Sequence, residues 1–153
     1  MKKMNKKGFT LIELLAIIVI LAIIAVITVP LILGIIDEAK EKSAISSVVG
    51  YGKAVELAYS HYQLGTDTSL TNADATSSDL SSGSYIKLQV GSDTINLRVD
   101  FSGDKVVCST TDGANKVTGG KITLSGCKIN NTGASYVYDN GRGCKSDGTS
   151  CAS

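Results

Sequence analysis

The sequence predicts an α+β chain: one long N-terminal helix, then a small antiparallel sheet of about four strands. Three observations predict it. Residues 14–36 are 23 consecutive uncharged positions, mostly Leu, Ile, Val and Ala. Ile45, Val48, Gly52, Val55, Tyr59 and Tyr62 then recur at alternating steps of three and four, which marks one face of a helix. From Ile86 onward apolar and polar residues alternate, the period of a half-buried strand.

Length and charge bound the rest. At 153 residues the chain is one domain, and 43% hydrophobic residues exclude general disorder. The net charge of +1 hides a split, because Lys2, Lys3, Lys6 and Lys7 crowd the first seven positions. The remainder carries 11 basic and 14 acidic side chains. That balance argues against a nucleic-acid-binding body.

The first element is a membrane-length helix. About 20 apolar residues cross a hydrocarbon core of roughly 30 Å, and residues 14–36 exceed that. The four lysines keep the N-terminus cytoplasmic by the positive-inside rule, so the body lies outside. A secretory signal peptide fits badly, since its apolar core is about 7–15 residues and ends at a small-residue cleavage site. Here the run is longer and continues into the helical Asp37–Lys42 stretch. Two residues do not suit a plain anchor. Glu13 places a carboxylate among apolar side chains, at a cost of about 2.5–3.5 kcal/mol in lipid, and calls for a partner. Pro30 removes a backbone hydrogen bond and kinks or loosens the helix.

The run Lys6-Lys7-Gly8-Phe9-Thr10-Leu11-Ile12-Glu13 resembles the processing site of type IV prepilins and their pseudopilin relatives. The resemblance covers residues 2–36 specifically. It implies that a prepilin peptidase cuts after Gly8 and methylates Phe9. It assigns assembly to Glu13 and a helix-disturbing role to Pro30. The physical reason is direct. The cut exposes an ammonium on Phe9 in apolar surroundings, and a neighbouring subunit's Glu13 offsets it in a fixed axial register. The fold it implies is pilin-like: the first half of the helix lies in the membrane or filament core, and the second half packs on the sheet.

The predicted organisation follows. Residues 1–8 are a cytoplasmic leader, cleaved. Residues 9–36 are the transmembrane and assembly helix, and 37–64 its amphipathic half. Residues 65–84 are a polar loop, and 85–153 the sheet with a disulfide-stapled tail. From Phe9 to Tyr62 is about 80 Å of helix, too long for the body to bury. Gly50 and Gly52 inside it read as close approach to the sheet or as a flexible point. The loop reads as a solvated linker or as a contact to the next subunit. Ile86–Val90 and Ile95–Phe101 read as a hairpin turning at Gly91-Ser92-Asp93. Lys105–Thr111, Lys121–Ile129 and Ser135–Tyr138 are the later strand candidates.

Cys108, Cys127, Cys144 and Cys151 all fall on the extracytoplasmic side, where disulfides persist. Four cysteines allow three connectivities. The favoured one is Cys108–Cys127 with Cys144–Cys151, which ties two strand regions and staples a Gly/Ser/Asp-rich tail. Zinc wants a closer Cys pair than any here. The sequence assigns no metal or other cofactor. Calcium is the one exception weighed, because some pilin-like proteins fix the C-terminal region with it and Asp139, Asn140 and Asp147 supply oxygens. No 12-residue calcium loop is present.

No phosphate-cradling loop, metal helix motif or nucleophile elbow occurs, so the chain is not read as an enzyme. His61 is the lone histidine and reads as helix-terminal. Asn130-Asn131-Thr132 matches a glycosylation acceptor, a pattern common by chance. The first expectation is a structural subunit of a type IV pilus-like filament. The alternative is a pseudopilin of a type II secretion or competence (DNA-uptake) system. A third is an adhesin module carried on a fibre, although the charge count argues against direct nucleic-acid binding. The implied partners are copies of itself and other pilins, prepilin peptidase, and an inner-membrane assembly platform with a cytoplasmic ATPase. The implied location is the cell membrane, single pass, before assembly and a cell-surface filament afterwards.

Overall fold

The computed structural model describes residues 8–65, 76–80 and 82–152. Two compact units divide at Lys40/Glu41. One helix, α1 (Leu11–Gln63), belongs to both. The predicted leader, apart from Gly8, and most of the predicted 65–84 loop lie outside the described residues.

The second unit starts from the amphipathic half of α1. Ile45, Val48, Val49, Tyr51, Gly52, Val55, Ala58 and Tyr59 are buried, which is the face that the three-and-four spacing marks as far as Tyr59; Tyr62, the last residue of that spacing, is exposed. The helix stops at Gln63, and Gly65 takes a left-handed φ of 65° with its N–H donating to the Tyr62 carbonyl at 3.1 Å. Glycine is the default residue for that C-terminal geometry. A short helix, α2 (Ser77–Leu80), follows, capped by Thr76, whose N–H and hydroxyl both donate to Asp79 Oδ2. Those bonds hold the Asp79 carboxyl below its ordinary value of 3.8.

The sheet comprises β1 (Tyr85–Val90), β2 (Asp93–Arg98), β3 (Val106–Val107), β4 (Lys116–Thr118), β5 (Lys121–Ile129), β6 (Thr132–Asp139), β7 (Arg142–Lys145) and β8 (Cys151–Ala152). Its order is β2-β1-β4-β5-β6-β7-β8, with β3 paired to β5. Inward positions Ile86, Leu88, Leu97, Ile122, Leu124 and Tyr138 join the helix residues in one core. Tyr51 meets Phe101 edge-on, ring centres 5.7 Å apart. The β5–β6 hairpin turns through Asn130-Asn131 and the β6–β7 hairpin through Asn140-Gly141, all at positive φ. That is the twist a two-residue hairpin favours.

The sheet corrects two expectations. Among the described residues it has eight strands rather than about four, and it is mixed, because β1 and β4 pair in parallel. The extra strands β4, β7 and β8 have three, four and two residues. Such lengths are too short to show a period of two. Lys105–Thr111 also contracts to Val106–Val107. The residues after it run alongside β1 instead, and Asn115 holds them there. Its side chain is 1% exposed. Its Nδ2 donates to the Lys87 and Ser109 carbonyls at 3.2 and 2.7 Å, and its Oδ1 accepts from Ser125 N–H at 3.1 Å. The Asn115 carbonyl accepts from Gln89 N–H. One buried amide thus joins β1, a loop and β5, which sets up the parallel pair.

Candidate functional site

The candidate site is the N-terminal segment that carries Gly8, Phe9 and Glu13. Residues 8–10 precede the helix, and α1 begins at Leu11. Phe9 is 81% exposed, and a Cβ placed on Gly8 would meet nothing within 4 Å. The Gly8–Phe9 bond therefore lies in accessible, non-helical backbone.

Thr10 caps α1. Its N–H donates to Glu13 Oε2 at 2.8 Å and its hydroxyl donates to the same oxygen at 2.6 Å. In return the Glu13 N–H reaches Thr10 Oγ1 at 3.4 Å, and Leu14 N–H reaches the Thr10 carbonyl at 3.3 Å. This is a capping box, in which residue and cap satisfy each other's unpaired backbone groups. A carboxylate in the first turn also lies at the positive end of the helix dipole. Sequence reasoning assigned Glu13 only an intersubunit role and passed over Thr10. The signal was present as Thr-x-x-Glu before an apolar run.

Beyond the cap, the side of the first unit is apolar all round. Every large apolar residue from Leu11 to Ile36 is more than 40% exposed, with Ile36 the least at 42%. None of the described residues of the first unit covers that surface. At 1.5 Å per residue the stretch is roughly 39 Å long, enough to cross a hydrocarbon core. The one hydroxyl in it, Thr28, donates to the Ile24 carbonyl at 2.5 Å and so presents no unsatisfied donor. Pro30 lies within α1, and the helix continues on both sides of it.

The structure places the remaining predicted residues in the second unit. Cys108 pairs with Cys127 and Cys144 with Cys151. The first pair is buried at 7% and 0% exposure, and the second joins directly opposed residues of β7 and β8. The tail is also tied by charge. Lys145 Nζ lies 3.6 Å from Glu41 on α1 and 3.6 Å from Asp147. Asp147 and Glu41, in that order, push the Lys145 ammonium above its ordinary 10.5. Hydrogen bonds from Thr149 hold Asp147 below 3.8. Of the residues weighed for calcium, Asp139 accepts from Thr123, Asp147 accepts from Thr149, and Asn140 lies in a turn at positive φ. Among the described residues, no three His, Cys, Asp or Glu side chains form a group suited to a metal ion. His61 is exposed in the last turn of α1.

The prokaryotic N-terminal methylation motif matches residues 3–29. That segment is similar to the class III signal peptide of type IV pilins and pseudopilins, a motif that implies processing by prepilin peptidase and assembly with other pilins. The exposed apolar helix beside it fits a membrane-anchored precursor. No curated protein and no solved structure matches the chain.

Proposed function

We propose that this chain is a structural subunit of a type IV pilus-like filament, with no catalytic role of its own. The observation that carries the proposal is the exposed apolar stretch of α1, most of which lies within the methylation motif. A surface of that size is stable only in lipid or against other apolar helices. A subunit that moves from membrane to filament exchanges one cover for the other.

In this scheme residues 1–8 form the leader, and the peptidase cuts the Gly8–Phe9 bond and methylates Phe9. Residues 9–36 then leave the bilayer for the filament core, driven by a membrane platform and its ATPase. The new Phe9 ammonium pairs with Glu13 of a neighbour, already oriented by two donors of Thr10. Charge-assisted bonds of this kind are about twice as strong as neutral ones, and strongest where water is excluded. The disulfide-stapled body, 85–153, stays on the outside with the amphipathic half of the helix.

The test is intact mass spectrometry of material sheared from the cell surface, beside the membrane fraction. A sheared species that lacks residues 1–8, gains one methyl group and lacks four hydrogens supports the filament subunit. The same species confined to the membrane fraction assigns the chain to a short secretion or competence pseudopilus. A species that keeps its leader in both fractions overturns the proposal.

A further inference from the structure

We propose that the cleft beside Glu56 receives the ammonium group of a lysine from a second copy of this chain. The inference rests on the filament reading above. The cleft has a volume of about 290 Å³ and lies between the end of α1, the β4–β5 turn and the β6–β7 turn. Glu56 is the one charged residue among those that line it.

The carboxylate is held in place. The Tyr138 phenol, itself fully buried, donates to Glu56 Oε1 at 2.7 Å. That bond is neutral-to-charged and leaves the negative charge uncompensated. Glu56 is half-buried, and Tyr138 is its one side-chain partner among the described residues. Next to it Gln63 Nε2 donates to the Tyr59 hydroxyl at 2.8 Å, which leaves the Gln63 carbonyl as a second acceptor. Ile122 and the Tyr59 ring supply apolar wall. A carboxylate, a carbonyl and apolar sides match a lysine, whose methylene stem packs while its head keeps polar partners. A half-buried carboxylate has already lost part of its hydration, so a cation that supplies charge-assisted hydrogen bonds offsets that loss.

The same body supplies the cations. Lys53, Lys105, Lys116, Lys121 and Lys128 are exposed and make no ion pair among the described residues. Register places Lys116, Lys121 and Lys128 on one face of the sheet, with Lys128 at the far end of β5 from the other two. Val117 and Ile122 pair on the core side, so Lys116 and Lys121 point to the other face, and Lys128 follows the core residue Cys127 onto it. The acceptor cleft and the donor face are different surfaces. A contact between unlike surfaces is heterologous, and where its rotation does not close a ring it extends into an open helical array.

The experiment uses sheared filaments of the full chain and a water-soluble carbodiimide, which joins a carboxylate to an amine with no spacer. The expected product is a cross-linked dimer whose digest links the Glu56 peptide to that of Lys116, Lys121 or Lys128. Glu56→Gln keeps an acceptor for Tyr138. It is expected to unfold at the wild-type temperature in detergent, to lose this dimer and to shed about tenfold less filament. Wild-type filaments in which Glu56 joins none of these lysines, or joins another protein, overturn the inference and leave the filament reading intact. Wild-type filament yield from Glu56→Gln does the same. A chain that keeps its leader and sheds no filament overturns both.

Discussion

Gly52 lies against the ring of Tyr138, so closely that a Cβ at that position would stand 2.3 Å from the nearest ring carbon. The contact fixes how near α1 comes to β6, and Tyr138 is fully buried with nowhere to move. This is the close approach that a glycine inside a helical pattern permits. Gly52→Ala is therefore expected to destabilise the second unit by about 3 kcal/mol despite alanine's better helix propensity. Thermal unfolding of the detergent-solubilised chain checks it. An unchanged midpoint would mean that the sheet yields freely to the helix.

Asn115 is expected to matter as much, for the opposite reason. Its side chain fills no apolar gap; it satisfies three backbone groups on separate segments. Asn115→Ala leaves those groups buried and unpaired, a loss of about 2–3 kcal/mol. The β1–β4 parallel pair should open first, read as faster amide exchange at Gln89 and Val117. Exchange that accelerates evenly across the sheet would contradict the assigned role.

The C-terminal tail should have a pH window. Asp147 titrates below its ordinary value in the folded chain, so its contribution is present above 3.8 and is lost as pH falls through the lowered folded value. Lys145 titrates above its ordinary value, so its contribution is complete below 10.5 and is lost as pH rises through the raised folded value. Lys145→Met removes the cation from both partners. The difference in unfolding temperature between wild type and Lys145→Met should be positive across neutral pH and shrink at both extremes. A difference independent of pH would mean that Lys145 acts through its methylenes alone.

Substitutions at the candidate site should separate processing from assembly. Gly8→Leu is expected to block the cut and hold the chain in the membrane, because the bulky side chain sits at the scissile bond. Glu13→Ala should leave the cut largely intact while filament yield falls. Immunoblots of membrane and sheared fractions distinguish the two. Efficient processing of Gly8→Leu would move the cut elsewhere, and normal yield from Glu13→Ala would remove the ammonium pairing from the scheme.

Periodicity explains what could be read in advance. The apolar run, the 45–62 helix face, the β1–β2 hairpin and the Lys121–Ile129 strand each repeat long enough for the pattern to rise above composition. The strands β4, β7 and β8 do not, and their pairing is imposed from outside: by Asn115, by a hairpin at Asn140-Gly141 and by the Cys144–Cys151 link. Parallel pairing between β1 and β4 was hidden for the same reason, since Asn115 acts on backbone atoms that carry no residue identity. At the N-terminus, Gly8, Phe9 and Glu13 are marked by residue type and spacing. Thr10 was legible too, and its capping role was masked by the attention that a lone carboxylate draws.

The Thr10 cap bears on the timetable of biogenesis. Helix α1 draws its first side-chain hydrogen bonds from Thr10 and Glu13. In the proposed scheme, a cut after Gly8 leaves this cap intact, since Thr10 and Glu13 both stay on the mature chain. In that scheme the cut can come early or late without rebuilding the head of the helix.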